Sequence, residues 1–584
     1  MKTGYLFFVN RLIQIKKMKI NNKTKETQKQ SLLREPSKVM KLDRLGSFHQ
    51  TRLSFSRQLI EQLKNNKWTI RISKWDIDNN GIGNAIISSV KGANEFCLVV
   101  FCHPINDQDR SDRVIAEKWD MTFSLFNGKP TQAEINYMSR NLKVQEAGHH
   151  LPKQMTLSRA NKSVRVFNSV LSSLSEGKQP NKTLINDIGY LVRTTAVYGN
   201  GKFGIGDFDS ISENSFLKKP FQAEMLTVYL IRFFSIELIN FLAKIKGEVS
   251  SVRLSDEISK HIGVGNATGL GMAPFLINHP ELLHKWINAR ETAISKVLAI
   301  KNLDIIQQNE IINLLNRALS YCTQWKVDDQ NQSVRIKNLR LDLETIINNP
   351  STKKLLSQTY PLKNIFNFFV DQISLETEEI LHSIFMEPFS NLVENLTEEM
   401  ATVETKSVPI KYKIKKVINI IRQNYDWALK VDVNEQKENH FFWYTSQAKL
   451  EPRLGVQVRD HGSEKQLPFD IAHQVQNTLK LLETLPENMT ISEVMIKHPE
   501  TRNIIRRIII NDTSEYSEIQ DNLHSDKTKP IDILRCKLSF FGASKYDPKS
   551  DLWTRITLFQ GAPLPHQLQE KNACDWIFPY LSDA

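Results

Sequence analysis

The glycines of this chain are unevenly distributed, and their clustering constrains the backbone more than any other feature of the sequence. Eight of the 22 glycines fall in two short windows, residues 199–206 and 263–271, inside a region that otherwise has helical periodicity. Glycine within a helix costs roughly 1 kcal/mol relative to alanine. Clustered glycines therefore mark a backbone that adopts positive φ angles or closely approaches another group, and a bound ligand is one such group.

The first window predicts either an anion-binding loop or a structural loop between helices. Its Gly199, Gly201 and Gly204 match the spacing of the dinucleotide-binding fingerprint, but that fingerprint needs a strand before it and a helix after it, and the pattern predicts neither with certainty. Backbone amides of the glycines, together with Arg193 and Lys202, would form a concave nest for an anion. The alternative to anion binding is a structural loop that only connects two helices.

The second window more closely resembles a glycine-rich anion loop, because a stretch that can begin a helix follows it. Its candidate ligand-binding residues are Gly263, Gly265, Asn266, Thr268 and Gly269. Free backbone N–H groups at a helix start would point at a bound carboxylate or phosphate. The Gly-Lys-Ser/Thr ending of a nucleotide-binding P-loop is missing from the chain. The alternative is a close helix–helix crossing that small residues allow.

A third candidate region lies near the C-terminus, where aromatic residues alternate with cations and turn residues at the ends of predicted strands. Lys449, Arg453 and Lys545 are the cations that would pair with an acidic group of a ligand. Strand-end loops commonly carry function. Aromatic residues in strands also form ordinary core, and both interpretations stay open.

Length and composition indicate a globular protein of about two to four domains. The chain has 584 residues, of which 40% are hydrophobic. Residues 5–9 form an apolar stretch too short for a signal peptide or a membrane span, so we expect a cytoplasmic protein without membrane contact. The five cysteines lack the spacing of a zinc site, and we expect them to be reduced thiols.

The net charge of +13 comes from one end of the chain. Residues 1–74 contain 18 Lys and Arg against 4 Asp and Glu, whereas residues 75–584 contain 59 against 60. A basic protein would normally suggest a nucleic-acid partner. Here the excess charge belongs to a polar lead segment with a disorder-like composition, so a nucleic-acid partner is not expected.

Hydrophobic periodicity predicts an α+β protein with an N-terminal antiparallel β meander, a large helical centre and a C-terminal mixed α/β region. The meander covers residues 68–126, and strands are predicted again at 534–541 and 553–559. The two β-rich ends are candidates for one shared sheet. The predicted division is a disordered basic lead (1–43), an α+β domain with an antiparallel sheet (44–150), a helical domain with glycine-rich loops (151–435) and a C-terminal α+β region (436–584).

Two metal-site patterns are present, and neither predicts a metal. Residues 76–81 match the start of a calcium loop, but position twelve is Ile87 instead of glutamate, so a hairpin turn at Asn80 and Gly81 is expected. Two Glu-x-x-His pairs invite a di-iron hypothesis with further glutamates from other helices, although such pairs also arise by chance. The residues of that hypothesis are Glu281, His284, Glu379, His382, Glu224 or Glu237, and Glu344.

Three segments, residues 193–204, 263–280 and 443–455, together resemble a family of bacterial cytosolic proteins of similar length whose activity is uncharacterised. The resemblance covers most of the chain after about residue 44. It implies a bacterial cytosolic protein, but no activity, cofactor or catalytic residue.

Two functional hypotheses follow from the sequence. The first is an enzyme of unknown reaction that binds an anionic small molecule through the two glycine windows, with no cofactor or catalytic residue assigned. The second is a nucleic-acid or protein interaction module that uses the basic N-terminal segment. The neutral body of the chain favours the first.

Overall fold

The structure is a computed structural model. It describes residues 33–106, 108, 118–145, 149–199, 215–266, 280–398, 408–409, 411–431, 442–446, 451–455, 464–466, 471–516, 518, 532, 535–544, 546–550 and 553–582.

The α-helices of these residues fall mainly in the centre of the chain. They are α1 (Pro36–Val39), α2 (Leu42–Leu45), α3 (Phe55–Asn65), α4 (Gln132–Arg140), α5 (Phe167–Ser175), α6 (Lys182–Ile188), α7 (Gln222–Gly247), α8 (Asp256–His261), α9 (Pro280–Leu298), α10 (Ile305–Thr323), α11 (Gln330–Asn348), α12 (Pro350–Leu356), α13 (Pro361–Phe369), α14 (Leu375–Met386), α15 (Ser390–Glu398), α16 (Ile414–Asn424), α17 (Asp426–Leu429), α18 (Ile471–Thr484), α19 (Ile491–Lys497) and α20 (Arg502–Ile510).

The strands form one large sheet and one small sheet. They are β1 (Thr69–Ile77), β2 (Gly83–Lys91), β3 (Asn94–Cys102), β4 (Met121–Asn127), β5 (Thr156–Lys162), β6 (Tyr190–Gly199), β7 (Gly263–Asn266), β8 (Phe442–Ser446), β9 (Glu451–Gly455), β10 (Glu464–Gln466), β11 (Asp547–Ser550) and β12 (Trp553–Leu558). The large sheet has nine strands in the order β1-β2-β3-β4-β5-β6-β7-β12-β11, and the small sheet has the order β10-β8-β9. The chain is therefore an α+β protein, as predicted.

The first four strands are the predicted antiparallel meander. Its first turn is the predicted hairpin, because Gly81 has a φ of 76° and the Asp78 carboxylate accepts hydrogen bonds from the backbone N–H groups of Asn80 and Ile82. Only glycine adopts such a φ without steric cost. The Asp78 side chain thus organises the turn through the backbone.

The sheet continues into the centre of the chain, where helical periodicity dominates the sequence. Strand β5 pairs with β4, β6 pairs with β5, and β7 pairs with β6. The sheet thus crosses the predicted division between residues 150 and 151. Strands β6 and β7 are parallel, and the connection between them contains α7. A parallel pair joined through a helix is a βαβ unit.

The C-terminal strand β12 completes the sheet by pairing with β7, so the two β-rich ends share one sheet. The strand predicted at 534–541 is wrong. A π-helical turn at Lys537–Phe541 takes its place, because consecutive side chains pack on different elements. The Phe540 ring lies 4.0 Å from that of Trp286 on α9, whereas the Phe541 ring packs on Phe55 of α3.

The described residues form two main hydrophobic cores that do not merge. The larger core joins the sheet, α7 and the central helices. The second core belongs to α16–α20 and includes Ile421, Val475 and Ile505, each fully buried. A third, smaller cluster lies between strands β2–β4 and α4.

Helix α7 is the most apolar long helix of the described residues. It forms most of the segment Gln222–Ser250, which is long and apolar enough to cross a membrane. In its most apolar window, 83% is buried inside the protein. This burial is what the core helix of a sheet-based fold requires.

Candidate functional site

The two glycine windows begin on the neighbouring strands β6 and β7. Gly199 is the last residue of β6, and Gly263 and Gly265 lie within β7. Because the two strands are parallel, their carboxyl ends point in the same direction. The two strands end at different levels along that direction. Asn266 at the end of β7 pairs with Thr194, and β6 continues from there to Gly199.

The glycines of β7 have a packing explanation. A β-carbon on Gly265 would lie 2.7 Å from the ring of Tyr190, and one on Gly263 would lie 2.3 Å from the carbonyl oxygen of Leu558. Tyr190 is 2% exposed, so its ring has no room to move. The second window is thus a strand at its beginning, where the sequence indicated a loop, and close strand packing takes the place of the helix crossing that we considered.

Arg193 lies inside the sheet, away from the end of β6. It is 4% exposed and pairs with Gly265 of β7. Gly199 is six residues further along, which is about 20 Å in an extended strand. The structure therefore brings Arg193 together with Gly265 and Asn266, but not with Gly199.

Of the remaining predicted ligand-binding residues, the structure describes the backbone position of one. Arg453 lies on β9 of the small sheet. The rest lie outside the described residues, and they are Gly201, Lys202, Gly204, Thr268, Gly269, Lys449 and Lys545. Their role in ligand binding stays a prediction.

Helix α7 packs on the sheet near the carboxyl end of β6. One turn into the helix, Thr227 Oγ1 lies 2.7 Å from Thr156 Oγ1 on β5, and Thr156 pairs with Gly199. The second turn of α7 therefore packs on β5 at the residue that pairs with Gly199. The dinucleotide-binding fingerprint needs a strand before its glycines and a helix that begins at them. The strand is present as β6, but α7 begins only at Gln222.

The rotation of α7 about its axis is fixed by two contacts on opposite sides. Thr227 contacts β5, while Arg232 donates from Nε to the carbonyl oxygen of Ile262, which directly precedes β7. At 3.6 residues per turn, Glu224 lies about 60° from Thr227 and about 80° from Arg232, between the two. Since β6 lies between β5 and β7 in the sheet, Glu224 faces β6.

Glu224 is buried without a hydrogen-bonding partner. The residue is 1% exposed, and neither Oε1 nor Oε2 has a partner. Burial raises the pKa of Glu224 to about 7, partly offset by its own backbone N–H. A buried carboxylate without partners is costly, so the raised pKa reflects a site that favours the neutral acid.

The start of α7 lacks a capping side chain. The residue before it, Phe221, has a left-handed conformation with a φ of 60° and makes no side-chain hydrogen bond to the helix. The first turn of a helix leaves backbone N–H groups without intrahelical partners and concentrates positive potential there. The start of α7 thus combines the lack of a capping side chain with a buried acid, Glu224, to which no other side chain donates a hydrogen bond.

Comparison of the chain with protein-family models, with curated proteins and with solved structures finds no match. The resemblance to a bacterial family stays a prediction, and the function must be argued from the site itself.

The second Glu-x-x-His pair lies in an arginine-rich ionic cluster on α14. Glu379 Oε1 accepts from Arg34 at 2.8 Å and from Arg44 at 2.7 Å. Arg34 also donates to Glu291 on α9 at 2.7 Å. Burial acts to raise the pKa of Glu379, but Arg34, followed by Arg290, holds that pKa well below its usual range. The carboxylates are thus satisfied by arginines, whose positive charge disfavours a metal ion.

His382 completes a group of possible metal ligands with Glu378 and Glu379, whose ligand atoms lie within 4.8 Å of one another. Its ring nitrogens have no hydrogen-bonding partner, and the ring packs on that of Phe366 at 4.7 Å. Burial, with the nearby Arg34, lowers the pKa of His382 well below its usual value. His382 is therefore a neutral, packed imidazole in this structure.

The other residues of the di-iron hypothesis have different partners. His284 Nδ1 accepts from the backbone N–H of Tyr516 at 3.2 Å, and Glu237 pairs with Arg253 at 2.7 Å. Within the described part of the chain, these glutamates and histidines form no common site. The Glu-x-x-His pattern assigns Glu224 only the role of an iron ligand. The signal it overlooked is that Glu224 is the single charged residue between residues 221 and 231.

Proposed function

We propose that this chain is an enzyme that acts on an anionic small molecule, bearing a phosphate or carboxylate group, bound where β6 ends and α7 begins. The observation that carries the proposal is this junction. Strand β6 ends at Gly199, its partner Thr156 on β5 bonds to Thr227 of a 26-residue helix, and no side chain caps the start of that helix. In sheets that contain parallel strands, ligands bind outside the carboxyl ends of those strands.

The chemistry of the junction fits an anion. Backbone N–H groups at the helix start and in a glycine-rich segment are donors without side-chain bulk, and the helix dipole adds positive potential. Glu224 supports a reactive role, because a buried acid without partners destabilises a fold and is typical of functional sites. Lys202, which lies in the window itself, is the proposed cationic contact.

Thermal unfolding with and without sulfate tests this proposal. Sulfate is a tetrahedral dianion whose charge does not change near neutral pH, and chloride at equal ionic strength is the reference. We expect low-millimolar sulfate to raise the melting temperature of the wild type, because a ligand that binds only the folded state stabilises it. The Lys202→Ala variant should lose most of this shift.

The matched control is Lys337→Ala, which removes the same charge from an exposed position on α11. It should respond to sulfate as the wild type does. The proposal is contradicted if sulfate leaves the wild type unchanged relative to chloride, or if Lys202→Ala and Lys337→Ala respond equally.

A further inference from the structure

Beyond the proposed function, we propose that the protein binds an aromatic α-amino acid in a groove along the second half of α7. The groove has a volume of about 470 Å³, and small-molecule sites typically have about 300–1,000 Å³. Residues of β1, of α7 and of the segment 251–253 line it. Gln222 at the helix start and Glu237 in the groove lie about 22 Å apart along the helix axis. The groove is therefore separate from the proposed anion site.

Aromatic and aliphatic side chains form one wall of the groove, at the edge of the large sheet. The ring of Trp75 on β1 packs on that of Phe241 on α7, with centroids 5.4 Å apart and the planes at 67°. Both side chains are only partly buried, and Ile72 on the same strand is 37% exposed. Within the described residues β1 is the last strand on this side of the sheet. The wall can therefore accept a further aromatic ring, stacked or edge to face.

The opposite wall of the groove is held in place by hydrogen bonds of its backbone. The N–H group of Val252 donates to the carbonyl oxygen of Leu174 on α5 at 2.9 Å. The N–H group of Leu254 donates to Oδ1 of Asn240 on α7, also at 2.9 Å. Val252 and Asn240 both line the groove. A site whose walls are already ordered loses less conformational entropy when a ligand binds.

The charged side chains of the groove are balanced in sign, and two of them are available to a ligand. Arg253 and Glu237 form an ion pair at 2.7 Å, so together they add no net charge. Lys244 and the Glu248 side chain make no ion pair or hydrogen bond among the described residues. These two residues are four apart at the end of α7, a spacing that places them on the same side. The groove thus offers one cation and one anion beside its aromatic wall.

An aromatic amino acid complements this arrangement group by group. Its carboxylate accepts hydrogen bonds from the Lys244 ammonium group, and its own ammonium group donates to the Glu248 carboxylate. Its ring packs on the wall formed by Trp75 and Phe241. The negative potential at the C-terminal end of α7 also favours the ligand's ammonium group. A compound with only one of these charges leaves a charged group of the groove without a partner.

Binding of L-phenylalanine to the whole protein tests the inference, with saturation-transfer NMR of the phenyl protons as the measurement. Two analogues each lack one charge. N-acetylphenylalanine keeps the carboxylate but has no ammonium group, and phenylalaninamide keeps the ammonium group but has no carboxylate. We expect each analogue to bind about tenfold more weakly than phenylalanine, because each loses one charge-assisted hydrogen bond.

Variants at exposed positions assign these two losses to individual side chains. In Lys244→Met, phenylalanine and phenylalaninamide should bind with similar dissociation constants. In Glu248→Gln, phenylalanine and N-acetylphenylalanine should do so. Lys337→Met, which removes an exposed charge from α11, is the matched control and should keep both preferences of the wild type.

Three outcomes would overturn the inference. They are no saturation transfer from the wild type to phenylalanine, equal binding of phenylalanine and its analogues, and the same preferences in Lys244→Met as in Lys337→Met. The proposed anion site is tested separately, since Lys244 lies at the opposite end of α7 from the helix start. Stabilisation by sulfate should therefore be unchanged in Lys244→Met, whichever way the phenylalanine experiment ends.

Discussion

At the scale of single residues, the fold requires the glycines of β7 but does not require Glu224. Gly263 and Gly265 are explained by the fold, because a side chain at either position would overlap Leu558 or the Tyr190 ring. Glu224 is not explained by the fold, since it is buried and no other residue bonds to its carboxyl group. Residues that a fold does not need are candidates for function, and this contrast is the reason that we propose the helix start as part of the functional site.

The same contrast predicts a pH-dependent cost to stability at Glu224. Its folded-state pKa of about 7 is above the ordinary value of 4.5, so the folded state holds the proton more tightly than the unfolded state. This contribution is fully present below about pH 4.5 and is lost as the pH rises through about 7. We therefore expect Glu224→Gln to raise the free energy of unfolding at about pH 8 by up to about 3 kcal/mol.

The measurement is thermal or denaturant unfolding of wild type and Glu224→Gln at about pH 5 and about pH 8. The two proteins should differ little at the lower pH, where the wild-type carboxyl group is already neutral. Glu237→Gln, at a partly buried position on the same helix whose side chain pairs with Arg253, should show no such pH-dependent gain. A gain of equal size at both pH values would mean that packing, and not ionisation, distinguishes the variants.

At the scale of elements, the short helices α1 and α2 are held to the central helices by buried ion pairs. Arg34 contacts Glu291 of α9 and Glu379 of α14, while Arg44 contacts Glu378 and Glu379. These two arginines belong to the basic N-terminal segment, yet their charges are used inside the protein. This use reduces the basic surface that a nucleic-acid arm would need.

Removing one partner of this cluster should release the N-terminal helices. Breaking a buried ion pair leaves an uncompensated charge and costs about 3–5 kcal/mol. In Arg34→Met we expect faster hydrogen exchange across Pro36–Leu45 and a lower melting temperature. Lys38→Met removes a charge from an exposed position in the same segment and should change neither. Unchanged exchange in Arg34→Met would show that apolar packing of Val39 and Met40 is sufficient.

Elements defined by local sequence could be predicted, and elements defined by distant partners could not. The turn at Gly81 needs only an Asp, an Asn and a glycine, all adjacent. Strand β7, Gly-Val-Gly-Asn, has no strand-like composition and exists because β6 and β12 flank it from distant parts of the sequence. The turn around Phe540 alternates like a strand, but Trp286 and Phe55 lie in different directions from it.

The sequence likewise indicates some features of the candidate site and not others. Glycine clustering indicates where we propose the site, because glycine-rich composition is typical of close approach and positive φ angles. The relation of the two windows depends on the parallel pairing of β6 and β7, which periodicity cannot reveal. Glu224 was overlooked because a single acid in an apolar helix is usual for a first turn, and only its burial without partners distinguishes it.

At the scale of the whole molecule, the two main cores make the protein two partly independent units. The core of α16–α20 is separate from the core that joins the sheet and central helices. Contacts between the units include those of Tyr516, whose hydroxyl donates to the Arg34 carbonyl at 2.7 Å and whose ring stacks on His284. Tyr516 is itself buried in the larger core, and a single residue of this kind couples two units less strongly than a shared apolar core.

Scanning calorimetry should therefore resolve two unfolding transitions, since each core supplies its own cooperative unit. Leu230→Ala truncates a fully buried residue of the larger core, and Ile421→Ala does the same in the second. Each truncation costs about 2–5 kcal/mol, so each variant should lower one transition and leave the other in place. If both variants lower a single common transition, the units fold together, and the contacts of Tyr516 then couple them more strongly than their area suggests. Because Glu224 and β6 belong to the larger unit, we further expect sulfate to raise only the transition that Leu230→Ala lowers.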